Sequence, residues 1–135
     1  HPLLQIRNAH FGILHALLNI KTMDDLFAHP VFGDSWEGLV VENILSSIPD
    51  RISSGYYRTS NGAEMDLVLE AGTSRIGIEC KASSSPKVTR GFWSAKEDLK
   101  LDEVLIVAPV DSAYPYGDGV TVCSLAGCLT RLESL

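Results

Sequence analysis

Residues 62–86, GAEMDLVLEAGTSRIGIECKASSSP, hold the side chains best suited to chemistry. Glu64 and Asp66 lie two apart, and so do Glu79 and Lys81. Side chains of a β-strand repeat every two residues, so each pair shares a face if these segments are extended. Pairing the segments as a hairpin would bring two carboxylates and an ammonium to one place. That grouping suits a hydrolytic magnesium site, in which carboxylate oxygens hold a hard cation and a nearby positive charge assists the displacement.

The segments read as strands. In the first, Ala63, Met65, Leu67 and Leu69 alternate with Glu64, Asp66, Val68 and Glu70. In the second, Ile76, Ile78 and Cys80 alternate with Gly77, Glu79 and Lys81. Residues 52–59 form a preceding strand, joined through Ser60-Asn61-Gly62, whose Asn-Gly pair is a hairpin signal. Upstream, residues 31–48 carry the strongest helical pattern in the chain. Asp34 is placed to cap it, with Glu37 three residues on in the capping-box position. Trp36, Val40 and Leu45 supply one apolar side; Val41, Ile44 and Ile48 continue another from Glu37.

Residues 3–7 read as a short strand, 11–20 as a helix and 22–28 as a second helix capped by Thr22, which His29-Pro30 ends. His10 and His15 are five apart and do not share a helix face. Downstream, Ser83 to Pro86 form a loop and 88–101 a helix anchored by Trp93 and Leu99. Residues 103–108 (EVLIVA) have the pattern of a buried strand, 111–119 read as a turn-rich loop, and 120–123 as a last strand before a helix capped by Ser124. The passage from Lys81 across a helix to Val104 implies a right-handed crossover and a parallel neighbour. The expected fold class is therefore α/β, a mixed sheet flanked by helices.

Bulk properties narrow the function. At 135 residues the chain has the length of one domain, and its 45% hydrophobic and 21% charged composition is that of an ordinary globular protein. The net charge of −6 argues against a strongly basic, non-specific nucleic-acid binder. It does not exclude a nuclease whose metal neutralises part of the acidic charge. No apolar run approaches bilayer length, and no signal peptide is visible, so the cytoplasm is the expected location. Cys80, Cys123 and Cys128 suit buried thiols in a reducing compartment, without the spacing of a zinc site. Gly33 and Gly38 frame a four-residue gap, but Leu39-Val40 follow, so no phosphate-binding loop is formed there.

The ordered set resembles the PD-(D/E)XK nuclease superfamily: helix, three strands, helix, strand, with Glu37 in the first helix, Asp66 in one strand and Glu79-Cys80-Lys81 in the next. More closely, the chain resembles the C-terminal domain of unknown function of bacterial and archaeal AAA-type ATPases. Residues 12–20 (GILHALLNI), 29–45 (HPVFGDSWEGLVVENIL), 56–70 (YYRTSNGAEMDLVLE) and 78–87 (IECKASSSPK) carry that likeness. It implies a restriction-endonuclease-like α-β-β-β-α-β core over 31–108, with 1–30 as a helical lead-in and 109–135 as a C-terminal strand and helix. It also implies that an ATP-binding module precedes this domain in a longer polypeptide, which accords with the His-Pro start.

By that resemblance, Asp66 and Glu79, with the Cys80 carbonyl, would bind Mg2+ or Mn2+. Glu37 would complete the site, and Lys81 would orient the attacking water or stabilise the transition state. The implied function is metal-dependent hydrolysis of nucleic acid, DNA more than RNA. The alternative is a non-catalytic nuclease fold that binds nucleic acid or assembles the ATPase, and homodimerisation is left open. The acidic balance favours the alternative; the intact Asp66, Glu79 and Lys81 set favours the enzyme. Each residue also has a plain reading: Glu37 as a capping-box residue, Glu79 and Lys81 as an exposed ion pair, Asp66 as a solvated strand residue. Arg58 and Thr59 could contact phosphate or simply be ion-paired and polar, and Tyr114 and Tyr116 could stack on bases or pack a loop.

Overall fold

Pro30 opens a helix instead of standing before it. The computed structural model describes residues 30–135; the elements expected within 3–28, and His10 and His15, lie outside that range. Helix α1 spans Pro30–Ser47. Proline suits a first helical turn because its fixed φ is already helical and its missing N–H has no partner to lose there. Asp34, expected as the cap, is therefore an exposed residue inside the helix, and Glu37 is no capping-box partner. Val40, Val41 and Ile44 are buried, so both expected apolar stripes merge into one broad buried face.

Strands β1 (Ser53–Arg58), β2 (Glu64–Ala71) and β3 (Ser74–Cys80) follow as an antiparallel meander. Helix α2 (Arg90–Asp98) then crosses to β4 (Glu103–Val107), which pairs parallel with β3 as the crossover requires. Strands β5 (Tyr114–Gly117) and β6 (Val120–Cys123) form a hairpin whose β6 lies parallel to β4. Helix α3 (Leu125–Leu132) follows, and the Ser124 hydroxyl accepts from the Gly127 amide as its cap. The described strands form one six-stranded mixed sheet in the order β1-β2-β3-β4-β6-β5.

Strand β5 replaces the loop expected over 111–119. Its turn uses Asp118 at φ 36° and Gly119 at φ 78°, an Asp-Gly hairpin signal hidden behind Tyr-Pro-Tyr. Helix α2 is shorter than the expected 88–101, because Lys100 turns to φ 52° and ends it.

The sheet is covered on both faces. One core joins α2 to Tyr57, Met65, Val68 and Ile106. The other joins α1 and α3 to Leu67, Leu69, Ile78 and Val107. Val104 to Val107 are all buried because successive residues of β4 enter opposite cores.

Strand β2 departs from the simple alternation expected for it. Gly55 pairs with Val68, but Tyr57 pairs with Met65, so Asp66 and Leu67 together oppose the single residue Tyr56. This is a β-bulge in β2. It transfers Met65 and Val68 to the α2 core while Leu67 and Leu69 enter the α1 core. The expected common face of Met65, Leu67 and Leu69 is thus broken at Asp66.

Candidate functional site: an acidic pair at a β-bulge

The bulge places Asp66 beside the end of β3. Regular pairing of β2 with β3 runs from Ala71↔Ser74 to Leu67↔Ile78. Beyond it the Asp66 carboxylate takes over: its Oδ2 accepts from the Cys80 backbone amide at 2.8 Å. The Asp66 amide in turn donates to Glu79 Oε1 at 3.3 Å. Two reciprocal hydrogen bonds therefore fix the two acidic residues on neighbouring strands.

Glu79 sits on the α2 side of the sheet. Ile76 and Ile78 enter the α1 core, and a Cβ added at the intervening Gly77 would meet Leu101 and Met65 of the α2 core. Glu79 continues that alternation and is only 5% exposed. Burial raises its carboxyl pKa to about 9, the Asp66 charge adds to the rise, and the Lys81 ammonium opposes it. At neutral pH Glu79 therefore carries a proton beside the Asp66 carboxylate. Lys81 Nζ stands 3.8 Å from Glu79 Oε2, with its side chain 30% exposed. The pair is thus not the fully exposed surface ion pair of the plain reading, because its acidic partner is buried.

One carbonyl ties this corner to α1. Val107 O, at the end of β4, accepts from the Lys81 amide at 3.0 Å and from Trp36 Nε1 at 3.0 Å. Trp36 had been expected only as an apolar contact; its N–H role has no signature in sequence spacing, because the acceptor is a main-chain atom 71 residues away.

Asp66, Glu79, Cys80 and Lys81 are therefore brought together. Glu37 is half-buried on α1, whose core lies on the opposite face of the sheet from Glu79. Among the described residues no group of three or more His, Cys, Asp or Glu side chains is arranged to hold a metal ion. Of the remaining candidates, Arg58, Thr59 and Tyr116 have structural partners. Arg58 faces Glu64 across the strands at 3.7 Å, with both side chains largely exposed. Thr59 closes the hairpin turn, its hydroxyl accepting from the Ala63 amide at 3.1 Å. Tyr116 packs near Trp93 with ring centroids 6.3 Å apart, and its hydroxyl accepts from the Val88 amide. Tyr114 is 39% exposed.

In donor type, the pair fits a hard divalent cation. Two adjacent carboxylates, one of them holding a proton against burial and like charge, offer oxygen ligands whose conflict a cation relieves as well as a proton does. Magnesium commonly uses one or two carboxylates and keeps its remaining waters.

Fold and site together define an α/β domain with a buried glutamate, a half-buried aspartate and a lysine at the end of adjacent sheet strands. The chain belongs to the family described as Domain of unknown function (DUF4143), whose model matches residues 32–128. It is 35% identical over 130 residues to the uncharacterized protein Rv2008c of Mycobacterium tuberculosis and, equally, to the uncharacterized protein Mb2031c of Mycobacterium bovis. The match covers 96% of this chain but only 29% of each relative's length. No solved structure matches the chain. No helix among the described residues is long and apolar enough to cross a membrane.

Proposed function

We propose that this domain is a divalent-metal-dependent phosphodiesterase of the PD-(D/E)XK kind. In this reading it acts on nucleic acid, DNA more than RNA, in the cytoplasm, as the C-terminal part of an AAA-type ATPase. The observation that carries the reading is the reciprocal hydrogen bonding of Asp66 and Glu79 beside Lys81. The larger size of the relatives, of which this chain spans 29%, leaves room for the ATPase module.

Asp66 and Glu79 would hold Mg2+ or Mn2+. The cation, when bound, supplies a more acidic water and neutralises charge on the phosphoryl oxygens. Glu79 would have to release its proton to serve as an oxygen ligand. The bulge keeps Asp66 aimed at the end of β3, with its carboxylate oriented by the Cys80 amide. Lys81 is anchored through its backbone at Val107 O, leaving a half-exposed ammonium to orient the nucleophile and to stabilise negative charge developing on the phosphate.

A second reading has its own observation. The net charge is −6, and no three-ligand acidic set is formed among the described residues, which supports a nuclease fold kept as a non-catalytic module of the ATPase. A nuclease assay separates the two. Labelled single- and double-stranded DNA and RNA are incubated with the protein in Mg2+, Mn2+ or EDTA, beside Lys81→Ala and Asp66→Asn variants. Metal-dependent cleavage of DNA, reduced by at least about a hundredfold in each variant, is expected of the enzyme. Absence of cleavage by both the domain and its full-length ATPase would overturn it in favour of the non-catalytic module.

A further inference from the structure

A pair of thiols outside the acidic site is held in contact by the way α3 begins. Ser124 is the N-cap of α3, which makes Cys123 the residue before the cap and Cys128 the fourth residue of the helix. Side chains at these two positions regularly pack together and fix the angle at which a chain enters a helix. In most proteins two large apolar residues fill them; here both are cysteines. Cys123 and Cys128 are free thiols, 4% and 0% exposed, in the same apolar core. Each thiol shifts the other, lowering the pKa of Cys123 and raising that of Cys128.

We propose that Cys123 and Cys128 are an oxidation site, which a hydroperoxide converts into an intramolecular disulfide across the start of α3. The inference is independent of the phosphodiesterase reading. The burial of both sulfurs selects the oxidant: a peptide or glutathione disulfide is too large, whereas hydrogen peroxide is close to water in size. Access lies over Gly127, which is exposed and has no side chain; a Cβ there would lie only 3.6 Å from Cys123 Cβ. Cys123 is the sulfur prepared to react first, because the neighbouring Cys128 thiol holds its pKa below the ordinary value, against the effect of burial.

The chemistry closes without another reagent. The Cys123 thiolate attacks one oxygen of hydrogen peroxide; the S–O bond forms, the O–O bond breaks, and hydroxide leaves to take up the proton that Cys123 gave up, as water. Cys128 sulfur then attacks the sulfenic sulfur; the S–S bond forms, the S–O bond breaks, and hydroxide departs with the Cys128 proton as a second water. Two thiols lose two electrons and two protons, and one peroxide is reduced to two waters. Cys80, half-buried at the acidic pair, is the competing thiol.

The site also adjoins the corner described above. Cys123 pairs with Val107, and its carbonyl accepts from the Ala108 amide at 3.0 Å. Val107 O in turn holds Lys81 and Trp36.

Treatment of the folded protein with one equivalent of hydrogen peroxide, followed by denaturation, alkylation and peptide mapping, tests the proposal. The expected product has an intact mass lower by about 2 Da, with Cys123 and Cys128 linked and Cys80 alkylated, and dithiothreitol restores all three thiols. Cys80→Ala keeps this behaviour. Cys128→Ala loses the link, and Cys123 is instead trapped by dimedone as the sulfenic acid. The link forms at least about tenfold more slowly in the urea-unfolded chain, where the helix start no longer holds the sulfurs together. Alkylation of all three cysteines after peroxide, a link through Cys80, oxidation of Cys80 alone, or equal rates in urea would each overturn it.

Discussion

Asp66 and Glu79 hold each other from two directions. The backbone amide of Asp66 donates to Glu79 Oε1 at 3.3 Å, and the Asp66 carboxylate accepts from the amide that follows Glu79, at Cys80, at 2.8 Å. A carboxylate that occupies a strand's hydrogen-bonding edge stands where the partner strand's carbonyl would lie in an uninterrupted ladder. The bulge at Asp66 and Leu67 makes this substitution. The same geometry sets the half-buried Asp66 beside the buried Glu79, and the proton on Glu79 is the consequence.

The pH dependence of stability follows from that proton. Glu79 has its folded-state pKa raised from 4.5 to about 9, by burial first and by Asp66 second. Its contribution to stability is full below the unfolded value, falls as pH rises across the window from 4.5 to about 9, and is lost above it. The limiting slope is about 1.4 kcal/mol per pH unit, before solvent relaxation reduces it. Urea unfolding in EDTA across this window should show the decline in the wild type and a flatter profile in Glu79→Gln, which is the more stable of the two at pH 8. Addition of Mg2+ at pH 8 should raise the wild-type midpoint and leave that of Asp66→Asn unchanged. Identical profiles for wild type and Glu79→Gln would show that Glu79 is not the titrating group.

Trp36 ties α1 to the sheet through Val107 O. Replacing it by phenylalanine keeps much of the apolar contact and removes the donor. The carbonyl keeps its bond from the Lys81 amide, so no buried acceptor is orphaned. Trp36→Phe should therefore cost about 1 kcal/mol in denaturant unfolding, the ordinary value of a hydrogen bond whose acceptor remains satisfied. A loss above about 3 kcal/mol would mean that the indole acts chiefly by packing.

Gly91 marks where the β1–β2 turn meets α2. A Cβ added there would fall 2.1 Å from the Gly62 carbonyl oxygen, a backbone atom that cannot turn aside. Glycine to alanine inside a helix ordinarily gains up to about 1 kcal/mol. At Gly91 the sign should reverse, with a loss of about 1–3 kcal/mol by thermal or urea unfolding. Gly33→Ala in α1, where no atom of the described residues lies within 4 Å of the added carbon, is the control and should stabilise.

The helix–strand order was readable because its signals are local. Apolar spacing marked α1 to within one residue at each end, the Asn-Gly pair marked the β1–β2 turn, and Ser124 was recognised as a cap that the structure retains. The parallel pairing of β3 with β4 followed from the chirality of a crossover through α2. Reading failed where a local signal competed with another. Asp34 looked like a cap, but Pro30 could already begin the helix; the Tyr-Pro-Tyr sequence hid β5, since proline suggests a loop although an edge strand tolerates it.

The sequence by itself determined the class of the domain, the strands carrying the acidic residues and the nearness of Asp66, Glu79 and Lys81, since strand period and hairpin pairing depend on residues close along the chain. Only the tertiary structure decided how those side chains meet. The slipped register at Asp66, the burial of Glu79 and the shared carbonyl of Val107 all depend on which face each helix covers. Two packed cores on opposite sides of one sheet set those positions, and a one-residue slip in β2 lets a single strand serve both.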